Sequence, residues 1–257
     1  DSCRAMWLTS FTEEDRPKAS EAMQLFKEAN RMLNQLDAVY QTHGVVNIMD
    51  ANADGDDLLL NGKRFPLLRQ QAAKLKKDDP FLCLSDFVRP LSSGITDKIG
   101  AFATTVDAEM EQLYAEDDYK RMLAQTLSDR LAEATAEKLH EDVRKKLWGY
   151  APDENLSVKD LHNEKYQGIR PAVGYPSLPD QSINFLLDEL LDMKQIGISL
   201  TENGMMKPHA SVCGLMFAHP ASRYFSIGKI GEDQLADYAA RRGMSIEETK
   251  KFLAANL

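Results

Sequence analysis

Cysteine is scarce in this sequence: the 257 residues contain three, Cys3, Cys83 and Cys213, far apart and beside apolar neighbours. They form no CxxC pair, which excludes a disulfide framework and leaves reduced, buried thiols as the expectation. The five histidines, His43, His140, His162, His209 and His219, show no ligand spacing either. Only His209 and His219 are candidates to face one site, and structural or surface roles fit them better. Neither Cys83 nor Cys213 has a basic neighbour to activate a thiolate, so a covalent hydrolase is not the expected class. Basic charge is in deficit as well: 31 Lys and Arg stand against 40 Asp and Glu, for a net charge of -9 and a pI near 5.1. Nucleic acid is therefore a poor partner. No apolar run approaches the roughly 20 residues that span a bilayer, and DSCRAMW lacks the layout of a signal peptide, so no membrane role is expected and the cytoplasm fits best. There is no GxGxxG after a strand and no GxxxxGK[ST], which removes the common dinucleotide and triphosphate cradles.

The chain does have an ordinary globular balance, with 43% apolar and 28% charged residues. Met23, Phe26, Ala29, Met32, Leu33 and Leu36 recur at helical spacing between Ala19 and Gln41. GVVNIM, Gly44 to Met49, reads as a buried strand, and Leu58 to Leu60 pair with it across an acidic turn. A helix is expected from about Pro66 through LLRQQAAKLKK, and FLCLSDF and IGAFATT read as strands. The longest helical stretch runs from near Asp107 to Lys146 with a break around Glu116 to Asp118. Met122, Leu123, Leu127, Leu131, Ala134, Leu139, Val143 and Leu147 mark its apolar face. Ser157 with Asp160 resembles a helix-capping pair. A helix from about Gln181 to Met193 follows, then ISL, ASVCGLMF and RYFSIGKI as strands, and two closing helices divided by Gly243. The simplest architecture is one α+β domain, a mainly antiparallel sheet clasped by long helices.

One motif is a near miss. DANADGDDLLLN offers Asp50, Asn52, Asp54 and Gly55 at calcium-loop positions, but the twelfth position is Asn61 rather than a bidentate Glu, and the preceding residues look extended. A tight polar turn between strands accounts for the same residues.

The stretch YQGIRPAVGYPSLPD, Tyr166 to Asp180, gathers three prolines and two glycines around Arg170 and Tyr175. Prolines fix φ and glycines admit conformations closed to other residues, so this is a shaped loop, neither helix nor strand. IRPAVGYPSLPD resembles the signature loop of the S-adenosylmethionine-binding activation (reactivation) domain of cobalamin-dependent methionine synthase. LCLSDFVRP, KIGAFA, DRLAEATAEKLHEDVRKKLWGYAPDENLS, LTENGMMKPHASVCG, HPASRYFSIGKI and YAARRGMSIEETKKFLAANL resemble consecutive stretches of the same domain, in the same order, from Ala19 to Leu257. Residues 1–18 match poorly and read as an N-terminal extension or remnant, with 19–257 as the activation domain.

The resemblance implies a C-shaped domain around a twisted antiparallel sheet, with S-adenosylmethionine in a shallow groove. Arg170 matches the motif arginine, whose fork suits the ligand carboxylate. Tyr175 and Tyr224 match tyrosines near the ligand, and Ala172, Val173 and Gly174 would offer backbone polar groups. Asp86 matches an acidic contact suited to the methionyl ammonium, and Glu133 another acidic site residue, with Asp129 one turn away in support. On residue chemistry alone Asp86 reads as a loop-start cap, Glu133 as a solvated helix charge and Tyr224 as a buried strand aromatic.

In such a family the domain presents the methyl group for reductive methylation of cob(II)alamin carried by a partner domain or subunit. A flavodoxin or another flavoprotein supplies the electron. No catalytic side chain and no metal ligand are expected, and the chain alone would not complete turnover. It contains no cobalamin-binding DxHxxG pattern. An excised domain and a separately encoded subunit both fit. The competing classes are a docking subunit that has kept only the fold, and a self-sufficient small-molecule methyltransferase. Joint retention of Asp86, Arg170, Gly174, Tyr175 and Tyr224 argues against the first, and the missing early glycine-rich turn against the second.

Overall fold

The structure is a computed structural model that describes residues 16–71 and 79–257. Helix α1 (Arg16–Asp37) leads into β1 (Thr42–Asp54), the longest strand and the backbone of the fold. β1 turns at Gly55 into β2 (Asp57–Leu60), and β3 (Lys63–Pro66) adds outside it. β4 (Asp97–Val106) lies antiparallel along the other side of β1, from Thr42 opposite Val106 to Ala51 opposite Asp97. β7 (Ser211–Met216) closes the sheet in the order β3-β2-β1-β4-β7, every pairing antiparallel. A separate two-stranded ribbon joins β5 (Ser199–Leu200) to β6 (Met206–Lys207). The expected strand pair across the acidic turn is present, Ala51 to Asp54 facing Leu60 to Asp57. The polar side chains of that turn serve the protein: Arg64 binds Asp54 and Asp57, Lys98 binds Asp50, and Asn52 donates to the carbonyls of Arg89 and Ile95.

One sheet face packs against α2 (Asp118–Asp142), and the five residues Val143–Leu147 continue α2 as a wider π turn. The break before α2 falls where expected, with Asp117 capping Lys120 N–H. The expected apolar face is buried only in part: Leu123 and Val143 are buried, and Leu127, Leu131 and Leu139 pack partly buried against the core. Ala124, Ser128, Ala132, Ala136 and His140, spaced every four residues, are buried, whereas Met122 and Leu147 are more than half exposed. Small side chains let the helix approach the sheet closely enough for Thr104 Oγ1 to donate to the Ala132 carbonyl at 2.9 Å. The opposite face of the sheet receives α4 (Ile183–Leu191), whose Ile183, Leu187 and Leu191 join Leu58, Ile99, Ala101 and Leu215 in the main core. The remaining helices are α3 (Val158–His162), α5 (Glu232–Arg242) and α6 (Ile246–Phe252). α3 starts on the expected Ser157–Asp160 capping box, and Gly243, at φ +66°, separates α5 from α6.

Three local expectations are corrected. FLCLSDF is not a strand: Leu84–Phe87 form a 3₁₀ turn, because the Asp86 carboxylate accepts from Cys83 N–H at 2.8 Å and closes the chain on itself. No helix begins at Pro66, which ends β3. Leu67 and Gln70 donate their N–H groups to the carbonyls of Asp56 and Leu82 across neighbouring chain, and the rest of that expected helix, 72–77, lies outside the described residues. RYFSIGKI joins no ladder. Phe225 N–H goes to Ser177 Oγ, Ile227 N–H to the Pro176 carbonyl and Ile230 N–H to the Asn256 carbonyl, so its backbone fastens two loops instead. Among the described residues, Cys83 and Cys213 are free and buried, and burial pushes their thiols up to about 11 and about 12. No described helix is long and apolar enough to cross a membrane.

Candidate functional site

The proline- and glycine-rich loop is laid along the outer edge of β7. Ile169 and Phe217 exchange backbone hydrogen bonds of 3.0 and 2.9 Å, Leu215 N–H donates to the Pro171 carbonyl at 3.1 Å, and Val173 N–H donates to the Cys213 carbonyl at 2.9 Å. Contact this close requires a missing side chain. A Cβ on Gly214 would sit 2.2 Å from the Pro171 oxygen and 2.8 Å from the Ala172 Cα. Gly214→Ala is therefore expected to lift the loop off the strand and to cost about 1–3 kcal/mol in urea unfolding; an unchanged unfolding midpoint would show that the loop is not seated there.

Past Ala172 the chain reverses at Gly174 (φ +86°), with Gly174 N–H bonded to the Leu178 carbonyl and Leu178 N–H to the Tyr175 carbonyl, both at 2.9 Å. Asp180 anchors the far end, accepting from Tyr238 Oη at 2.7 Å and Ser182 N–H at 2.8 Å. The folded-in loop and α2 enclose an open cleft of about 640 Å³.

Five of the seven expected site residues line it: Glu133, Arg170, Ala172, Tyr175 and Tyr224. Glu133 accepts from Tyr175 Oη at 2.8 Å, and this bond, followed by burial, raises the phenol pKa above its ordinary value. Arg170 is fixed twice. Its backbone N–H donates to Tyr224 Oη at 3.0 Å, and its Nη2 pairs with Glu137 Oε1. Burial works against the guanidinium charge, yet the Glu137 carboxylate and the nearby phenols hold its pKa above the ordinary value. Tyr166 forms the floor, with burial foremost and then Tyr224 holding its phenol protonated.

Beneath Tyr166 lies a buried polar layer. The Arg144 guanidinium stacks 4.4 Å from the Tyr166 ring centre, and the His140 ring meets Tyr166 edge-on at 5.1 Å. Burial, reinforced by the charges of Arg144 and Arg170, keeps the His140 pKa well below the ordinary imidazole value. The unfolded chain then binds a proton that the folded chain refuses, so this contribution is complete above about pH 6.5 and is lost as pH falls below it. Urea midpoints measured from pH 7.5 to 5.5 are expected to fall less steeply for His140→Gln than for the parent; parallel slopes would assign the acid sensitivity elsewhere.

Gly174 does not line the cleft but makes the turn that delivers Tyr175. The N–H groups of Val173 and Gly174 are already used within the fold, and the Ala172 carbonyl accepts from Tyr175 N–H at 3.3 Å. Asp86 is placed apart from the cleft. Arg69 grips its carboxylate in a bidentate pair at 2.7 and 2.8 Å while Cys83 N–H takes one of the same oxygens, so its charge organises the 3₁₀ turn. Asp129 borders a smaller neighbouring cavity of about 220 Å³, 3.8 Å from the His209 ring. His219 is elsewhere, against Phe87. Sequence reasoning missed Glu137, Tyr166 and Ser177. The available signal for Glu137 was its position four residues after Glu133, which places both carboxylates on one face of α2.

The sequence profile of the family described as vitamin B12 dependent methionine synthase, activation domain, matches residues 7–243. Among solved structures, a crystal structure of the MetH reactivation domain bound to AdoHcy is 45% identical, with a TM-score of 0.86 over 93% of this chain and 78% of that one. The chain belongs to the family of vitamin B12 dependent methionine synthase activation domains.

Proposed function

We propose that the cleft between α2 and the 166–180 loop binds S-adenosylmethionine and presents its methyl group for reductive methylation of cob(II)alamin held by a partner domain or subunit. The observation that carries this reading is that one fixed guanidinium, Arg170, and three glutamates, Glu133, Glu137 and Glu164, line a single cleft beside aromatic walls. The ligand offers a carboxylate, two cationic centres and an adenine, and the cleft offers a complement to each. Its polar capacity also exceeds what the protein consumes: Arg170 Nε and Glu137 Oε2 are buried with no protein partner. A relative of 45% identity binds the demethylated form, AdoHcy.

Arg170 takes the ligand carboxylate through its fork. Glu133 provides negative potential for the sulfonium and is kept in place by Tyr175. Tyr224 flanks the adenosyl portion, and the loop prolines lower the cost of ordering the site. The chain's residues bind and orient the donor, and cobalt together with an electron from a flavodoxin or other flavoprotein supplies the bond chemistry.

Calorimetric titration of the purified chain with S-adenosylmethionine and, in parallel, S-adenosylhomocysteine, without any corrinoid, tests the reading. Saturable one-to-one binding is the expected result. A folded sample that binds neither would overturn it and favour a docking role, whereas methyl transfer to a small acceptor without corrinoid would favour a self-sufficient methyltransferase.

A further inference from the structure

Glu137 stands out because the site as read above gives it no task, yet it is the partner of the residue on which that reading most depends. It sits on α2 one turn beyond Glu133, and the two carboxylates are used differently. Glu133 is held by Tyr175 from the loop tip, while Glu137 reaches the Arg170 guanidinium at the loop's start. The Arg170 side chain is 19% exposed and that of Glu137 40% exposed, but Glu137 Oε2 is buried and Oε1 is the oxygen that meets Arg170. Both charged groups thus lose hydration at this contact, and each compensates the other's charge.

The pairing is also one-sided. Glu137 Oε1 engages Nη2 alone, and Nε has no acceptor among the protein atoms. A planar fork with one nitrogen tethered cannot rotate freely about its own axis, and its remaining donors keep a fixed direction. Tyr224 fixes the same residue from the other end through the backbone N–H. Backbone and guanidinium are thus immobilised by separate elements, one on the 222–230 segment and one on α2.

Resting on the S-adenosylmethionine reading of the cleft, we propose that Glu137 is the positioning residue for Arg170, holding the guanidinium oriented so that it selects ligands carrying an α-amino-acid carboxylate. Glu137 acts through Arg170 and contributes to recognition of the carboxylate end, leaving recognition of the nucleoside to other residues.

The test separates these two ends of the ligand. S-adenosylhomocysteine carries the amino-acid end, and 5′-methylthioadenosine keeps the nucleoside and thioether but has none. Calorimetric titration of the whole chain with each probe would be carried out on the parent, Glu137→Ala, Glu137→Gln, Arg170→Ala and the Arg170→Ala/Glu137→Ala double variant, with melting curves confirming folding. Glu137→Ala is expected to weaken S-adenosylhomocysteine by about tenfold or more while leaving methylthioadenosine within about twofold, and its effect should vanish when Arg170 is already Ala. Glu137→Gln keeps an acceptor for Nη2 without the charge, so it should fall between the parent and Glu137→Ala. Unchanged S-adenosylhomocysteine affinity in Glu137→Ala, or equal weakening of both probes, would overturn the assignment while leaving the cleft reading intact. A parent chain that binds neither S-adenosylmethionine nor S-adenosylhomocysteine would overturn both.

Discussion

Arg170→Ala is expected to weaken S-adenosylmethionine binding by roughly 2–5 kcal/mol, the range for truncating one partner of a desolvated charge pair. The structure indicates why this loss should appear in affinity more than in stability. The bond from Arg170 to Tyr224 uses the backbone N–H and is available to alanine. Truncating Arg170 opens space beside the Glu137 carboxylate, whose side chain is already 40% exposed, so that water can reach it. The loop's seating on β7 runs through Ile169, Pro171 and Val173, none of which the substitution touches. Arg170→Lys should recover only part of the loss, because an ammonium restores the charge but not the planar fork. Titration calorimetry alongside urea unfolding checks both halves, and an Arg170→Ala variant of parental affinity would sink the carboxylate-gripping role.

The legible parts of this fold were those that local chemistry decides. The β1–β2 hairpin follows from two apolar runs around an Asp- and Gly-rich turn, and the Ser157 and Gly243 boundaries follow from capping and left-handed geometry. The loop announced itself because Gly and Pro are restricted by the backbone whatever surrounds them. What could not be read depended on partners distant in the chain. FLCLSDF has the composition of a strand, but Asp86 accepts from Cys83 N–H and from Arg69, and these bonds favour a closed turn. RYFSIGKI has the composition of a strand, yet its donors find loop atoms near residue 176 and the C-terminus instead of a neighbouring strand.

The same reasoning applies to the site. Arg170, Tyr175 and Tyr224, expected from the motifs around them, and Glu133, expected from its place in a long matching helix, all line the cleft. Asp86 had a comparable motif but is committed to Arg69, seventeen residues earlier in sequence. Glu137 lacked any motif of its own. On α2 it is one of many charged residues at helical spacing, and only the loop folding back from 33 residues away distinguishes it from a solvated charge. On the helix itself, Leu123 and Val143 of the expected face are buried, but Ala and Ser at four-residue spacing take the positions nearest the sheet, where closeness matters more than side-chain bulk.

The largest loss of stability is expected at Arg144, the bulkiest fully buried side chain among the described residues. The π turn after α2 carries it inward, where Nε and Nη2 both bond Glu154 at 2.7 Å, with the two side chains 0% and 6% exposed. Arg144→Ala removes the cation, leaves the Glu154 carboxylate desolvated, opens a cavity and deprives the Tyr166 ring of its stacked partner. Breaking one side of such a buried pair costs about 3–5 kcal/mol, whereas replacing both sides by apolar groups of similar volume is often near neutral. Arg144→Met combined with Glu154→Leu should accordingly regain much of the stability lost in Arg144→Ala, as read from urea midpoints. Because Tyr166 floors the cleft, the double variant should still bind S-adenosylmethionine more weakly than the parent even where its stability is restored. A loss below about 1 kcal/mol in Arg144→Ala would mean that water reaches Glu154 in solution and that the pair is not sealed, since a hydrated carboxylate pays little for losing its partner.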